Sequence, residues 1–221
     1  MSMMAGREEF QRLKHFIWDF DGTLFDTYPI IIRNLRSALQ EFGFDADPVE
    51  MMGLMLDTIP AARNHYADRF GIDREALAEV YQKYHLQATA QLEAQPMAGV
   101  CRFLDAVLER GGRHYVFTNR KVTETQAYLC KYGLLEYFTQ IVGPETPGFA
   151  WKPAPDAIYL LLEQYGLNPE ETVMVGDREI DLGSGRNAGV GTMHVVCTAV
   201  PEDLACDWRI ENFEQALAML E

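Results

Sequence analysis

Short apolar segments alternate with helical patterns through most of this 221-residue chain, and this alternation limits the possible folds more than any other feature. The segments are rich in Val, Ile, Phe and Tyr, which is typical of buried strands. We predict strands at His15–Asp19, His114–Asn119, Tyr137–Val142, Thr172–Gly176 and Gly191–Cys197. Because strands that alternate with helices form parallel sheets covered on both faces, the sequence predicts an α/β fold.

The helical patterns between these strands have one apolar face and end at glycine. Val100–Arg110 is followed by Gly111 and Gly112, and Thr123–Tyr132 and Pro155–Tyr165 end in the same way. Glycine is common where a helix stops, because it accepts the left-handed backbone conformation there.

Residues 25–95 interrupt the alternation and contain no convincing strand. Four helices are predicted there, at Pro29–Phe42, Met51–Leu56, Ala61–Phe70 and Arg74–Leu92. A helical block of this length exceeds a single crossover connection. We therefore predict a core domain of residues 1–24 and 96–221, with residues 25–95 inserted as a helical domain. The methionines near position 52 are interpreted as core residues of that insert.

The charge and composition exclude several classes of partner. The net charge is −14 and the sequence pI is about 4.7, so the surface repels nucleic acids and anionic lipids. No segment approaches the roughly 18 apolar residues of a membrane span, and the first residues lack the apolar core of a signal peptide. The four cysteines form no C-x-x-C pair and are expected to be reduced, so we expect a cytoplasmic protein.

Polar side chains follow four of the predicted strands or their loops. Since ligand sites of parallel sheets lie at the carboxyl ends of the strands, these side chains are expected to meet at one edge. In chain order they are Asp19, Asp21, Thr118, Asn119, Lys152, Asp177 and Asp181.

The residue types at this edge are typical of phosphoryl transfer. Asp19, Asp177 and Asp181 provide hard oxygen ligands of the kind that Mg²⁺ prefers, and a cation would offset their clustered charge. Lys152 would be a second cation for a phosphate, and the Thr118 hydroxyl would donate to a phosphoryl oxygen. A phosphorylated substrate needs such local positive charge in an acidic protein.

Asp19, at the end of the first strand, is then a candidate nucleophile that attacks phosphorus. Asp21 would protonate the leaving oxygen and later accept a proton from water. The backbone amides of Gly22 and Thr23 are candidates for an anion-binding turn.

Each of these features has an ordinary structural explanation when it is taken alone. Thr118 would cap a turn, Lys152 would be a solvated surface residue, and Asp26 would cap the first inserted helix. The G-D-x-x-x-D segment at Gly176–Asp181 would be a turn with an N-capping Asp. The functional interpretation is favoured because each segment follows a predicted strand and contributes a different part of one site.

Four segments together resemble the motifs of the haloacid dehalogenase-like hydrolase superfamily. They are DFDGTLFDT at 19–27, FTN at 117–119, WKPAPD at 151–156 and VGDREIDLGSGRNAGV at 175–190. The resemblance covers nearly the whole predicted core in the order expected of the family, and its first and last motifs are the most specific.

This resemblance implies a Rossmann-like three-layer core, an aspartyl-phosphate intermediate and Mg²⁺ as cofactor. It assigns Asp19 as nucleophile and metal ligand, and Asp21 as acid/base and as metal ligand through its carbonyl. Thr118 and Lys152 would hold the phosphoryl group, with Gly22 and Asn119 beside them. Asp177 would ligate the metal, and Asp181 would do so directly or through water.

The helical insert directly after the first motif resembles the cap of the phosphoglycolate phosphatase and β-phosphoglucomutase branch. The resemblance therefore implies a phosphatase acting on a small phosphorylated metabolite, with a sugar-phosphate mutase or a non-catalytic binding relative as alternatives. Dehalogenases and phosphonoacetaldehyde hydrolases lack the second Asp of the first motif, whereas Asp21 is present. The latter also use a cap lysine, and Lys83 is the only lysine of the insert.

Two arginines depart from the family pattern, and the insert offers candidate substrate contacts. Arg120 and Arg178 would bind an anionic substrate or form ion pairs with Glu179, Asp26 or an acid of the insert, and we favour the ion pairs. Asp57, Thr58 and Arg63 lie where this branch places its substrate-selecting loop, although Arg63 is equally compatible with a surface helix. The substrate and the oligomeric state stay open.

Overall fold

The computed structural model describes residues 3–197 and 204–221. Its helices are α1 (Met3–Gln11), α2 (Tyr28–Glu41), α3 (Pro48–Met55), α4 (Ile59–Phe70), α5 (Arg74–Gln91), α6 (Val100–Glu109), α7 (Val122–Lys131), α8 (Asp156–Tyr165), α9 (Glu179–Ala188) and α10 (Phe213–Leu220). Its strands are β1 (His15–Trp18), β2 (Phe25–Asp26), β3 (Gln95–Pro96), β4 (Arg113–Phe117), β5 (Phe138–Val142), β6 (Thr172–Gly176), β7 (Gly191–Val195) and β8 (Trp208–Ile210). The chain divides into two compact units. The first comprises residues 1–26 and 96–221, and the second comprises residues 27–95.

The first unit is built on a parallel six-stranded sheet, which confirms the predicted α/β class. The strand order is β5-β4-β1-β6-β7-β8, so β1 lies between β4 and β6. Trp18, the last residue of β1, pairs with Val116 of β4 and with Val175 of β6. This register brings the carboxyl ends of the three strands to the same edge.

The predicted strands are all present, and several end earlier than expected. Asp19, Thr118 and Cys197 lie just beyond the ends of β1, β4 and β7. The sequence analysis missed α1, α9, β8 and α10, and it missed the two-residue strands β2 and β3 at the ends of the insert. The strand β8 has only three residues, and Arg209 at its centre is exposed, so its pattern is too short and too polar to predict.

The second unit consists of α2 to α5, in which α2 packs against α5 and α3 against α4. Met51, Met52 and Met55 are buried, as predicted. Thr27, rather than Asp26, occupies the N-cap position of α2, because that helix begins at Tyr28 and Asp26 belongs to β2. The longest described helix is the 18-residue α5, and none of the helices within the described ranges is long and apolar enough to cross a membrane.

A fully buried histidine links two strands beneath the site-bearing edge. Trp18 Nε1 donates to His114 Nδ1 at 3.0 Å, and His114 Nε2 lies 3.1 Å from the Leu104 carbonyl. This arrangement assigns the proton to Nε2, since Nδ1 must accept from the indole. Burial lowers the pKa of His114 to about 4, although the Leu104 hydrogen bond raises it in part.

The free energy of unfolding is therefore expected to fall in acid through His114. The unfolded chain binds a proton at this residue below the ordinary pKa of 6.5, whereas the folded chain does so only near pH 4. The loss grows as the pH falls between these values and reaches about 3 kcal/mol. Urea unfolding of wild type and His114→Gln across this range measures the difference. Parallel pH dependences of the two proteins would contradict the prediction.

Candidate active site

The carboxyl ends of β1, β4 and β6 position the polar residues of the candidate site. The Asp19 amide donates to the Val175 carbonyl at 2.8 Å, and the Thr118 amide donates to the Val142 carbonyl at 3.0 Å. These bonds extend the sheet pairing by one residue past β1 and β4. Asp19 and Thr118 are consequently held as rigidly as strand residues, although their side chains lie at the ligand edge.

Three buried carboxylates converge at this edge. Oxygens of Asp19, Asp177 and Asp181 all lie within 4.8 Å of one another. The Lys152 ammonium contacts two of them, at 2.5 Å from Asp19 Oδ1 and 2.7 Å from Asp181 Oδ1. The Lys152 side chain is 0% exposed, so this is a buried ion pair of one cation with two anions.

The cluster carries more negative than positive charge at its centre. Burial and the neighbouring Asp181 charge raise the pKa of Asp19, and Lys152 and Arg178 lower it only in part. The buried Asp19 Oδ2 has no hydrogen-bond partner among the described residues. A second cation with hard-oxygen preference, such as Mg²⁺, fits this donor set, because it would contact the orphaned oxygen and offset the excess charge.

Two side chains orient Asp177. The Thr23 hydroxyl donates to Asp177 Oδ1 at 3.2 Å, and the Cys197 thiol donates to Asp177 Oδ2 at 3.3 Å. Burial and the Asp177 charge raise the pKa of Cys197, so the thiol keeps its proton and stays a donor. The sequence analysis assigned no role to Cys197, although its position after β7 was the signal that could have placed it at this edge.

Asp181 belongs to α9 and is held close to the end of β6. Its Oδ2 accepts from the Arg178 amide at 3.1 Å, while its Oδ1 contacts Lys152. A Cβ at Gly176 would lie 2.2 Å from the Asp181 Cβ, so only glycine permits this approach. The G-D-x-x-x-D segment is thus both a helix-capping turn and part of the acidic cluster.

Thr118 and Asn119 support the loops around Lys152 and Arg120. The buried Thr118 hydroxyl oxygen accepts from the Arg120 amide at 3.0 Å, which leaves its hydrogen directed elsewhere. Asn119 Oδ1 accepts from the Lys152 amide at 3.4 Å. Both residues therefore lie at the predicted edge.

The sequence predicts that the Gly22 and Thr23 amides form an anion-binding turn, and this prediction is wrong for Gly22. Gly22, with φ of +76°, donates its amide hydrogen to the Phe25 carbonyl at 2.8 Å. That amide is committed to closing the turn and does not point to a phosphate. The Asp21 carboxylate is not a member of the acidic cluster, which in the described residues comprises Asp19, Asp177 and Asp181.

Arg120 and Arg178, the two arginines that differ from the family pattern, both form ion pairs, but not with the predicted partners. Arg120 pairs with Asp21 at 2.7 Å and with Glu124 at 3.0 Å. Arg178 Nε lies 3.9 Å from Asp181 Oδ2. Glu179, which was a predicted partner, pairs with Arg186 instead because both lie on α9 facing the same side.

The candidate substrate contacts Asp57, Thr58 and Arg63 belong to the second unit. The Thr58 hydroxyl caps α4 by accepting from the Ala61 amide at 3.1 Å, and Arg63 lies within that helix. In the same unit, a hydrogen bond and the charge of Glu41 raise the pKa of Lys83. A lysine that forms Schiff bases needs a lowered pKa, so this environment disfavours that chemistry.

Comparison with known proteins places these motifs in a family. Residues 16–195 match the family model described as haloacid dehalogenase-like hydrolase. The chain is 31% identical to a phosphoglycolate phosphatase of Agrobacterium fabrum over 89% of this chain and 88% of the relative. It is 28% identical to an N-acetylmuramic acid 6-phosphate phosphatase of Pseudomonas aeruginosa, over 89% and 88% of the two chains. The crystal structure of a predicted phosphoglycolate phosphatase from Haemophilus somnus superposes with a TM-score of 0.82 at 21% identity, covering 95% and 99%.

Proposed function

The chain belongs to the haloacid dehalogenase-like hydrolase family and is a phosphoric monoester hydrolase. We propose that it releases phosphate from a small metabolite in a Mg²⁺-dependent reaction, through an aspartyl-phosphate on Asp19. The observation that carries the proposal is the buried cluster in which Asp19 shares Lys152 with Asp181 and keeps one oxygen without a hydrogen-bond partner in the described residues. In this arrangement Lys152 holds one Asp19 oxygen, and the other is open to the cation that the proposed reaction requires.

The metal ligands follow from the same cluster. Asp19 and Asp177 would hold Mg²⁺ by their carboxylates, with Asp181 bound directly or through water. The resemblance of the first motif adds the Asp21 carbonyl as a further ligand. When bound, Mg²⁺ supplies positive charge that stabilises the phosphoryl oxygens. The Thr23 and Cys197 donors fix the orientation of the Asp177 carboxylate.

The side chains divide the two half-reactions between them. Asp19 forms a bond to phosphorus while the bond to the leaving oxygen breaks, and Asp21 gives that oxygen its proton. A water oxygen then attacks the phosphorus of the aspartyl-phosphate, the bond to Asp19 breaks, and Asp21 takes the proton of the water. Lys152 and the Thr118 hydroxyl bind the phosphoryl oxygens throughout and so stabilise the charge of the transition state.

A substrate panel tests this proposal. Phosphate release is measured from phosphoglycolate, a sugar phosphate, a nucleoside monophosphate and pyrophosphate, with Mg²⁺ and with EDTA. We expect release that requires Mg²⁺ and that is strongest for one compound, because the relatives carry the names of different phosphatases.

Equal rates in Mg²⁺ and EDTA would contradict the metal dependence. Absence of phosphate release from every compound would contradict hydrolysis, and the same samples would then be analysed for isomerised sugar phosphate, the product of a mutase.

A further inference from the structure

Arg120 makes a many-sided contact with the residue assigned to proton transfer. Its Nη2 lies 2.7 Å from Asp21 Oδ1, and its Nε lies 3.2 Å from each of the two Asp21 oxygens. The Arg120 side chain is 8% exposed and that of Asp21 is 16% exposed. A two-point contact between a planar guanidinium and a carboxylate fixes the orientation of both groups.

The guanidinium is itself held from other directions. Glu124 Oε2, in the first turn of α7, accepts from Arg120 Nη1 at 3.0 Å. The rings of Phe20 and Tyr128 lie 5.7 Å and 5.8 Å from the Arg120 Cζ atom, within the range of cation–π contact. Burial by itself lowers the pKa of Arg120, but the Asp21 and Glu124 charges raise it above its ordinary value.

The backbone of Arg120 also contacts Thr118, one of the residues assigned to the phosphoryl group. Its amide donates to the Thr118 hydroxyl oxygen at 3.0 Å, two residues back in the chain. The same short segment therefore orients Thr118 on one side and Asp21 on the other. One residue thus contacts both Thr118, which is assigned to the phosphoryl group, and Asp21, which is assigned to the leaving oxygen.

We propose that Arg120 is a positioning residue that orients the Asp21 side chain for proton transfer to the leaving group. In that step Asp21 is the protonated acid, and Arg120, which has only N–H donors, holds the carboxyl oxygens without taking its proton. This inference rests on the proposed function, in which Asp21 gives the leaving oxygen its proton as the phosphorus bond to Asp19 forms.

Leaving-group dependence separates positioning from a structural role. An alkyl phosphate requires a proton on its departing oxygen, whereas p-nitrophenyl phosphate releases a stable phenolate and requires it little. The value of kcat/KM reports events up to the departure of the leaving group. Arg120→Met is expected to lower kcat/KM for the alkyl ester by about 10²-fold or more and that for p-nitrophenyl phosphate by less than about tenfold.

Three further variants sharpen the comparison. Arg120→Lys keeps a charge but loses the two-point contact and should give an intermediate, equally selective loss. Glu124→Gln leaves Arg120 in place and should give a smaller loss in the same direction, so it supplies a second measurement if Arg120→Met folds poorly. Arg102→Met removes an exposed ion pair to Glu214 in the same unit and should change neither value.

The outcomes distinguish the inference from the proposed function. Equal losses on both esters, or no loss on either, would overturn the role of Arg120 while wild-type hydrolysis still stands. A further loss on the alkyl ester when Arg120→Met is added to Asp21→Asn would also overturn it, because a positioning residue acts through Asp21. Wild-type protein inactive on both esters would overturn the proposed function and the inference with it.

Discussion

Asp19→Asn is expected to lower Mg²⁺-dependent phosphate release by about 10⁴–10⁶-fold, the scale of loss when a covalent catalyst loses its nucleophile. An amide oxygen does not attack phosphorus at a useful rate, so the aspartyl-phosphate does not form. Lys152 and Thr118, the proposed phosphate-binding groups, are unchanged in this variant. The KM or the affinity for inorganic phosphate should therefore change far less than kcat.

The same substitution is expected to leave the folded state as stable as wild type or more stable in EDTA. Burial and the Asp181 charge raise the pKa of Asp19, which means that the ionised form is unfavourable in the folded protein. Asn removes that charge while its oxygen still accepts from Lys152. Loss of activity with a retained or higher Tm is the expected signature of a residue selected for catalysis rather than stability.

Asp26→Asn is the matched control, since Asp26 belongs to the same sequence motif and is exposed. It should change neither the rate nor the Tm. Phosphate release by Asp19→Asn within about tenfold of wild type would contradict the nucleophile assignment, and a large drop in its Tm would contradict the electrostatic argument.

The position of the site was predictable from the sequence because sheet topology leaves few choices. Polar residues that follow parallel strands meet at one edge whatever the details of the helices. Asp19, Thr118 and Asp177 lie there, after β1, β4 and β6. The ends of β1, β4 and β7 were predicted one or two residues too far along the chain, since the pattern of hydrophobicity does not mark where strand pairing stops.

Side-chain partners were less predictable, because they depend on which residues distant in sequence become neighbours. Arg120 and Asp21 are 99 positions apart, and no local rule pairs them. The Arg120–Glu124 pair was more predictable, because Glu124 lies only four residues after Arg120, in the first turn of α7. Side chains at this spacing come together at a helix. The Gly22 amide was misassigned for a local reason, because its acceptor, the Phe25 carbonyl three residues on, depends on how tightly the turn closes.

Lys152→Met is expected to lower the free energy of unfolding in EDTA by about 3–5 kcal/mol, the cost of removing one partner from a buried ion pair. The ammonium is the cation that contacts both Asp19 and Asp181, and all three side chains are at most 1% exposed. Methionine has a similar length and fills the space, but it leaves the carboxylates uncompensated. Phosphate release should be lost as well, since Lys152 is proposed to hold the phosphoryl group.

Lys14→Met provides the matched control. Lys14 also forms an ion pair at 2.7 Å, with Glu171, but the two side chains are 54% and 30% exposed. Exposed pairs of this kind contribute less than about 1 kcal/mol, so the control should unfold close to wild type in urea. Equal effects of the two lysine substitutions would contradict the view that the acidic cluster depends on a buried cation.

Mg²⁺ should then restore stability to Lys152→Met more than it adds to wild type. In the variant the bound cation replaces the positive charge lost with Lys152, whereas in wild type Lys152 already offsets part of the negative charge. Adding Asp181→Asn to Lys152→Met in EDTA should likewise recover part of the lost stability, because one of the crowded carboxylates becomes neutral. Both recoveries follow from a single cause, which is that folding brings three acids together at an edge where one lysine cannot balance them.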